Sequence, residues 1–268
     1  GHFVLCDRLP KTTYRNRLPA GGTRLKARSQ DLYHFNSTAC FADFAVVAEE
    51  GVIPVSEDVP FEVLATIGCS VVTGMGAVNN AAQVKAGENV VVIGAGGVVL
   101  NVIQGALLAG CDRVIAIDVR PSALELAKTF GATETIEASG EKVSDQVRKL
   151  TDSRGVDFAF DTVGMPNTIT QALECVRKGG SVVLTGLSRI DATVAIQTFP
   201  FVMQEKRLIG SVYGSGCPLV EVPQLLALHQ EGKLKLRELV THEYSLDQVN
   251  EALEHLAAGT DARGIIRW

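Results

Sequence analysis

Apolar residues along the middle of the chain follow two alternating periods, and the changes of period mark its architecture. From about residue 74 to residue 214, apolar runs of strand length alternate with longer segments whose apolar positions recur at helical spacing. The strand runs are 90–94 (VVVIG), 113–118 (RVIAID), 157–163 (DFAFDTV) and 181–186 (SVVLTG). Between and around them, helices are predicted at 98–110, 121–132, 145–152 and 166–176. Strands separated by helices need crossover connections, so they run parallel, and strands apolar on both faces must be covered on both. The expected fold class is α/β, a doubly wound parallel sheet of the Rossmann type.

The flanks read differently. Residues 1–69 are irregular, with the LPAGGT turn, one strand candidate at 41–48 (FADFAVVA) and a weaker one at 52–55. After residue 214 come a helix at 222–234, a strand at 239–246, a helix at 246–259 with Ser245 as its N-cap, and a terminal strand at 264–268.

Chemistry enters where the first strand of the alternating zone meets its helix. The run VVVIG leads into Gly94, Ala95, Gly96, Gly97, Val98 and Val99, a G-x-G-x-x-V turn. Gly94 permits the tight turn. Gly96 removes a Cβ where the backbone must approach a diphosphate, and the helix start offers unpaired N–H donors with partial positive charge. Val99 stands where the dinucleotide fingerprint has a third glycine, and its methyls are expected to push the helix outward. Asp118 ends the next strand, twenty-four residues after Gly94, where a carboxylate accepts hydrogen bonds from both hydroxyls of an adenosine ribose. It repels a 2′-phosphate, so the sequence favours NAD over NADP. Arg120, two residues on, is placed to soften that preference, to stack on the adenine or to face solvent.

Composition excludes several alternatives. The net charge of -5 provides no global positive field for nucleic acid or an anionic membrane. The basic run between Arg8 and Arg28 is poor in aromatics and broken by Pro and Gly, and reads as a solvated loop. The apolar stretch 90–110 has the length of a membrane span, but its glycines with Asn101 and Gln104 favour a buried strand and helix. Six cysteines (Cys6, Cys40, Cys69, Cys111, Cys175 and Cys217) are scattered without a C-x-x-C pair, which suits reduced thiols in a cytoplasm. The opening GHFVLCDRLPK lacks the pattern of a signal peptide.

With GAGGVV and Asp118 in place, the chain resembles the zinc-dependent medium-chain alcohol dehydrogenases along essentially its full length. Further segments carry the likeness: IGCSVVTGMGAV at 67–78, GVDFAFDTVG at 155–164, the RKGGSVVLTG turn and the GTDARGIIRW end. The resemblance implies NAD and zinc as cofactors and a small alcohol or aldehyde as substrate. It matches Cys69 to a catalytic zinc ligand and Cys6 to the last of four cysteines of a structural zinc. A catalytic zinc would lower the pKa of the substrate oxygen before hydride passes to nicotinamide. Thr73, Val98 and Val163 match positions around the nicotinamide, Gly97 belongs to the phosphate turn, and backbone near Thr185, Ser211 and Tyr213 would hold the carboxamide. Arg263 matches an arginine that reaches the pyrophosphate, and Lys11, Phe35 and Asn36 fall at pocket positions.

The same likeness leaves elements unmatched. The other zinc cysteines, the G-H-E histidine and the proton-relay hydroxyl have no counterpart, and Gly1–His2 is followed by Phe3. His34 falls in a pocket segment, while His229, His242 and His255 read as surface or core. The chain is therefore expected to correspond to the family without its N-terminal segment. It would comprise a partial, mostly β catalytic domain (1–73), an NAD-binding domain (74–214) and a C-terminal return to the catalytic domain (215–268). Residues before Cys69 and after Gly214 should pack together, and residues 193–213 should form the sheet edge at which cytoplasmic homodimers join. Three readings stay open: zinc-assisted, NAD-dependent oxidoreduction in the intact protein, with this chain weakly active or inactive alone; a non-catalytic NAD-binding protein; and a zinc-free quinone reductase.

Overall fold

In the computed structural model, which describes residues 2–11, 13–18, 20–94, 96–139, 141–259 and 262–268, regular structure begins with a small antiparallel hairpin. Its strands are β1 (Leu25–Ala27) and β2 (Gln30–Leu32). A continuous helical segment, α1 (Phe61–Ala82), follows, in which α turns alternate with wider π turns. Then come β3 (Asn89–Ile93), α2 (Gly97–Leu108), β4 (Arg113–Asp118), α3 (Pro121–Thr129), β5 (Glu134–Glu137) and α4 (Val143–Leu150). The series continues with β6 (Val156–Asp161), α5 (Pro166–Cys175), β7 (Val176–Leu184), α6 (Thr198–Met203) and β8 (Arg207–Gly210). Last are α7 (Pro218–Gln230), β9 (His242–Ser245), α8 (Val249–Ala258) and β10 (Gly264–Arg267).

Strands β3 to β8 form one parallel sheet in the order β5-β4-β3-β6-β7-β8. The chain moves outward from β3 in one direction, then restarts at β6 on the other side. Connections leaving β3 and β6 therefore diverge, and a crevice opens at the carboxyl ends of these two strands. Alternating strand residues face two cores. Val90, Val92, Val114, Ala116 and Phe160 join side chains of α1, α2 and α7 on one side. Val91, Ile93, Ile115, Ile117 and Ala159 meet Val147, Ala172 and Cys175 of α4 and α5 on the other. Burial on both faces is why these strands read as unbroken apolar runs.

Helix α1 is long and apolar enough to cross a membrane, but most of its apolar window is buried inside the protein, where Val63, Val71, Val72 and Val78 are fully enclosed. Its fit depends on two glycines. Gly214, at φ +76°, lies so close that an added Cβ would sit 3.1 Å from Gly76 Cα. Glu62 near the start of α1 faces Arg237 at 3.5 Å and Arg267 at 3.9 Å, so the two flanks of the chain meet there.

Two expectations fail. Residues 41–48 and 52–55 are not strands. A strand is stabilised by a ladder partner, and none lies beside them among the described residues; Phe44 is 91% exposed and Val46 64%. The Val46 carbonyl instead accepts from the Arg24 guanidinium at 3.1 Å. Strands β1, β2, β5 and β8 are additions to the sequence reading, with β8 inside the expected edge segment at one margin of the sheet. The signal at Ser245 is borne out: its N–H donates to Gln248 Oε1 at 3.0 Å, ahead of a tight turn (Leu246–Gln248) that leads into α8.

Candidate functional site

The glycine turn occupies the crevice. Gly94 leaves β3 at φ +101°, a conformation costly for other residues, and donates to the Ile117 carbonyl at 2.7 Å. An added Cβ there would lie 2.9 Å from Thr162 Oγ1 and 3.0 Å from Val163 Cγ2, so Gly94 also admits the chain that leaves β6. Gly96 caps α2 in extended conformation, and a Cβ added to it would enter open space. The first turn of α2 thus carries N–H groups that lack intrahelical acceptors, beside open space at Gly96. Val99, in the third glycine's place, is fully buried in the first core.

Arg263 lies against this turn. A Cβ on Gly97 would sit 3.0 Å from both Arg263 Nη2 and the Ala262 carbonyl oxygen. Arg263 Nε is buried and has no hydrogen-bond partner among the described residues. A buried donor without an acceptor is costly, and here it stands beside the positive end of a helix. A phosphate oxygen would satisfy both, so this turn fits the diphosphate of a dinucleotide.

Asp118 is buried at the end of β4. Its Oδ1 accepts from the backbone N–H of Arg120 at 2.8 Å and from Arg120 Nε at 3.2 Å. Arg120 therefore neither faces solvent alone nor stands free; its Nη1 also donates to the Gly259 carbonyl.

On the other side of the crevice, the Thr185 N–H donates to the Asp161 carbonyl at 2.9 Å and the Ser211 N–H to the Leu184 carbonyl at 2.9 Å. Both residues line a cleft of about 580 Å³ with Asn80, Gly186, Val212 and Ser215. Close approach at Gly74, where a Cβ would lie 2.6 Å from the Val98 carbonyl oxygen, brings the α1 backbone beside Thr73 onto α2 at Val98. Tyr213 donates its hydroxyl to the Gly68 carbonyl, and burial, then the neighbouring Cys69, pushes its pKa up. Lys11, Phe35 and Asn36 lie in the N-terminal turns, all exposed.

Neither of the two zinc sites to which Cys69 and Cys6 were matched is completed among the described residues. Cys69 and Cys6 are both exposed, and the described residues hold no group of three His, Cys, Asp or Glu able to bind a metal. Zinc needs three or four protein ligands, so these residues do not fit a zinc site. His34 is buried in a structural role, its Nε2 accepting from the Arg24 N–H at 3.1 Å. His229 Nδ1 pairs with the Leu234 carbonyl and His255 with the Tyr244 hydroxyl.

One residue at the crevice escaped the sequence reading. Asp161 ends β6 as Asp118 ends β4, and that parallel was the available signal. It is fully buried, with Oδ2 accepting from the Gly164 N–H at 2.8 Å. Burial raises its pKa above the ordinary 3.8, partly opposed by hydrogen bonds from Thr168, Gly164 and Val163. A carboxyl whose pKa is raised by folding binds more protons in the native state. Its contribution to stability is therefore complete below 3.8 and is lost as pH rises through the native value. Asp161→Asn is expected to remove this fall, while Asp161→Ala should cost about 1–3 kcal/mol by stranding Gly164. Urea denaturation across the acidic range checks both; an unchanged pH profile in the Asn variant would count against the assignment.

A helix start, a half-buried arginine and a strand-end carboxylate around the crevice define an α/β dinucleotide-binding protein. Comparison with known proteins takes this further. Residues 97–231 match the family model described as zinc-binding dehydrogenase. The chain is 33% identical to the probable S-(hydroxymethyl)glutathione dehydrogenase 1 of Schizosaccharomyces pombe, over 99% of this chain and 70% of that protein. An alcohol dehydrogenase zinc-binding domain protein from Burkholderia ambifaria superposes with a TM-score of 0.92 at 29% identity, covering 99% of this chain and 72% of that one. Benzyl alcohol dehydrogenase from Acinetobacter calcoaceticus gives 0.85 at 30% identity, with 99% and 75% covered. The chain belongs to the zinc-dependent medium-chain alcohol dehydrogenase family, a family of enzymes whose cofactors are NAD and zinc.

Proposed function

We propose that this chain binds NAD across the switch point and serves the NAD-dependent interconversion of an alcohol and its aldehyde. The observation that carries the reading is the buried Arg263 Nε, without a hydrogen-bond partner among the described residues, over Gly97 at the start of α2. In this reading Gly94, Gly96, Gly97 and Arg263 hold the diphosphate, and Asp118 accepts from the adenosine ribose. Thr73, Val98, Val163, Thr185, Ser211 and Tyr213 surround the nicotinamide. NAD held there would supply the hydride acceptor for the alcohol carbon, and these residues would fix its ring and shield it from water. The domain division at residues 73 and 214 follows the same reading.

Because the described residues complete no zinc site, turnover requires ligands beyond them, and the same observation favours a second reading in which the chain binds NAD without catalysis. Metal analysis combined with an assay for alcohol-dependent formation of NADH, run on this chain and on a version extended upstream, separates the two by the behaviour of the extended protein. Stoichiometric zinc with turnover supports the first, whereas zinc-free protein that binds NAD and never reduces it supports the second.

A cytoplasmic setting is supported by six unpaired cysteines. A homodimer is proposed through the β8 margin, where Leu208 is exposed, as are Phe199, Val202 and Met203 of the preceding α6. Leu208→Asp is expected to shift the chain from dimer to monomer in sedimentation velocity; a wild-type monomer would remove the proposal.

A further inference from the structure

The contact between Arg120 and Gly259 connects two parts of the crevice that are distant in sequence. We propose that Arg120 is a positioning residue that couples the adenosine end of the dinucleotide site to its pyrophosphate end. The proposal rests on the reading of this crevice as an NAD site.

A single guanidinium serves both ends. Arg120 Nε and its backbone N–H hold Asp118 Oδ1, leaving Oδ2 for the ribose hydroxyls. Arg120 Nη1 donates to the carbonyl of Gly259, the left-handed C-cap of α8 at φ +69°. Four residues later the chain places Arg263 over Gly97. Gly259 suits this twice: glycine tolerates the left-handed conformation, and a Cβ would lie 3.0 Å from Arg120 Cζ, where it would dislodge the guanidinium. The planar fork of arginine can meet two acceptors in fixed directions at once, which the point charge of lysine cannot. Arg120 thereby anchors both the carboxylate that receives the ribose and the segment that brings the phosphate-binding arginine.

The site thus makes a specific prediction of non-additivity. A residue acting through Arg263 loses much of its effect when Arg263 is absent, whereas a residue that merely stacks on adenine or supports the fold acts equally in both backgrounds. Calorimetric titration with NAD on wild type, Arg120→Ala, Arg263→Ala and the double variant tests it. Arg120→Ala is expected to weaken NAD about tenfold alone and less than about threefold in the Arg263→Ala background. Arg120→Lys should fall between wild type and alanine, and carries the same comparison if the alanine variant does not fold. Equal losses in the two backgrounds, or an unchanged affinity for Arg120→Ala, would overturn the coupling while leaving the NAD site intact. A wild-type chain that binds no NAD would overturn the site and the coupling together.

Discussion

Arg263→Ala is expected to weaken NAD binding by roughly ten- to a hundredfold, the effect of losing charge-assisted hydrogen bonds worth about 1.5–3 kcal/mol. In the free protein the guanidinium contributes the opposite way. Its Nε is buried without a partner among the described residues, beside the positive start of α2, an arrangement that costs stability until an anion arrives. The alanine variant should therefore melt at or above the wild-type temperature when free, and gain less on adding NAD. Affinity and stability moving in opposite directions is the signature of a group held for a ligand. A surface arginine would leave both unchanged, and a structural one would lower the melting temperature. Calorimetry with thermal melts, with and without NAD, reads all three outcomes.

Gly214→Val is expected to cost about 2–5 kcal/mol of folding stability, a large part of what a domain of this kind possesses. The residue sits at φ +76°, and its Cβ would lie 3.0 Å from the Val72 carbonyl carbon and 3.1 Å from Gly76 Cα. These are backbone atoms of α1 that no side-chain rotation can move aside. The turn bearing Ser211 and Tyr213 must lift away from α1, taking the Tyr213 contact with the Gly68 carbonyl with it. Gly214→Ala should show a smaller loss of the same sign, because the left-handed conformation is already unfavourable with one methyl. A urea midpoint unchanged in the valine variant would show that the close approach does not hold the fold together.

How much of this was legible in the sequence depended on what buries each segment. Strands β3, β4, β6 and β7 could be read because helices cover both their faces, so selection for burial leaves continuous apolar runs at 90–94 and 113–118. Strand β5 (Glu134–Glu137) has Ile136 as its one fully inward residue and hid in a polar stretch. Helix α1 was invisible for the opposite reason: enclosed along most of its length, it shows no amphipathic period, and Gly68, Gly74 and Gly76 interrupt its helix-forming residues. Residues 41–48 misled because alternation predicts a strand only where a partner exists.

The site divides in the same way. Gly94 to Gly97 and Asp118 were readable because the turn and the strand end that carry them are local in sequence. Arg263 and Tyr213 came from family resemblance alone, since their contacts with Gly97 and Gly68 span long stretches of chain. The double role of Arg120 could not be read from sequence at all: it depends on Gly259, brought close only by the docking of α8.

The central claim is that the crevice between β3 and β6 is an NAD site organised by Arg263 and Asp118. Calorimetric titration of this chain with NAD and, in parallel, NADP tests it most directly. One NAD bound per chain, with NADP weaker and the affinity reduced in Arg263→Ala, is the result this structure predicts; no binding of either nucleotide, or binding that Arg263→Ala leaves unchanged, would contradict it.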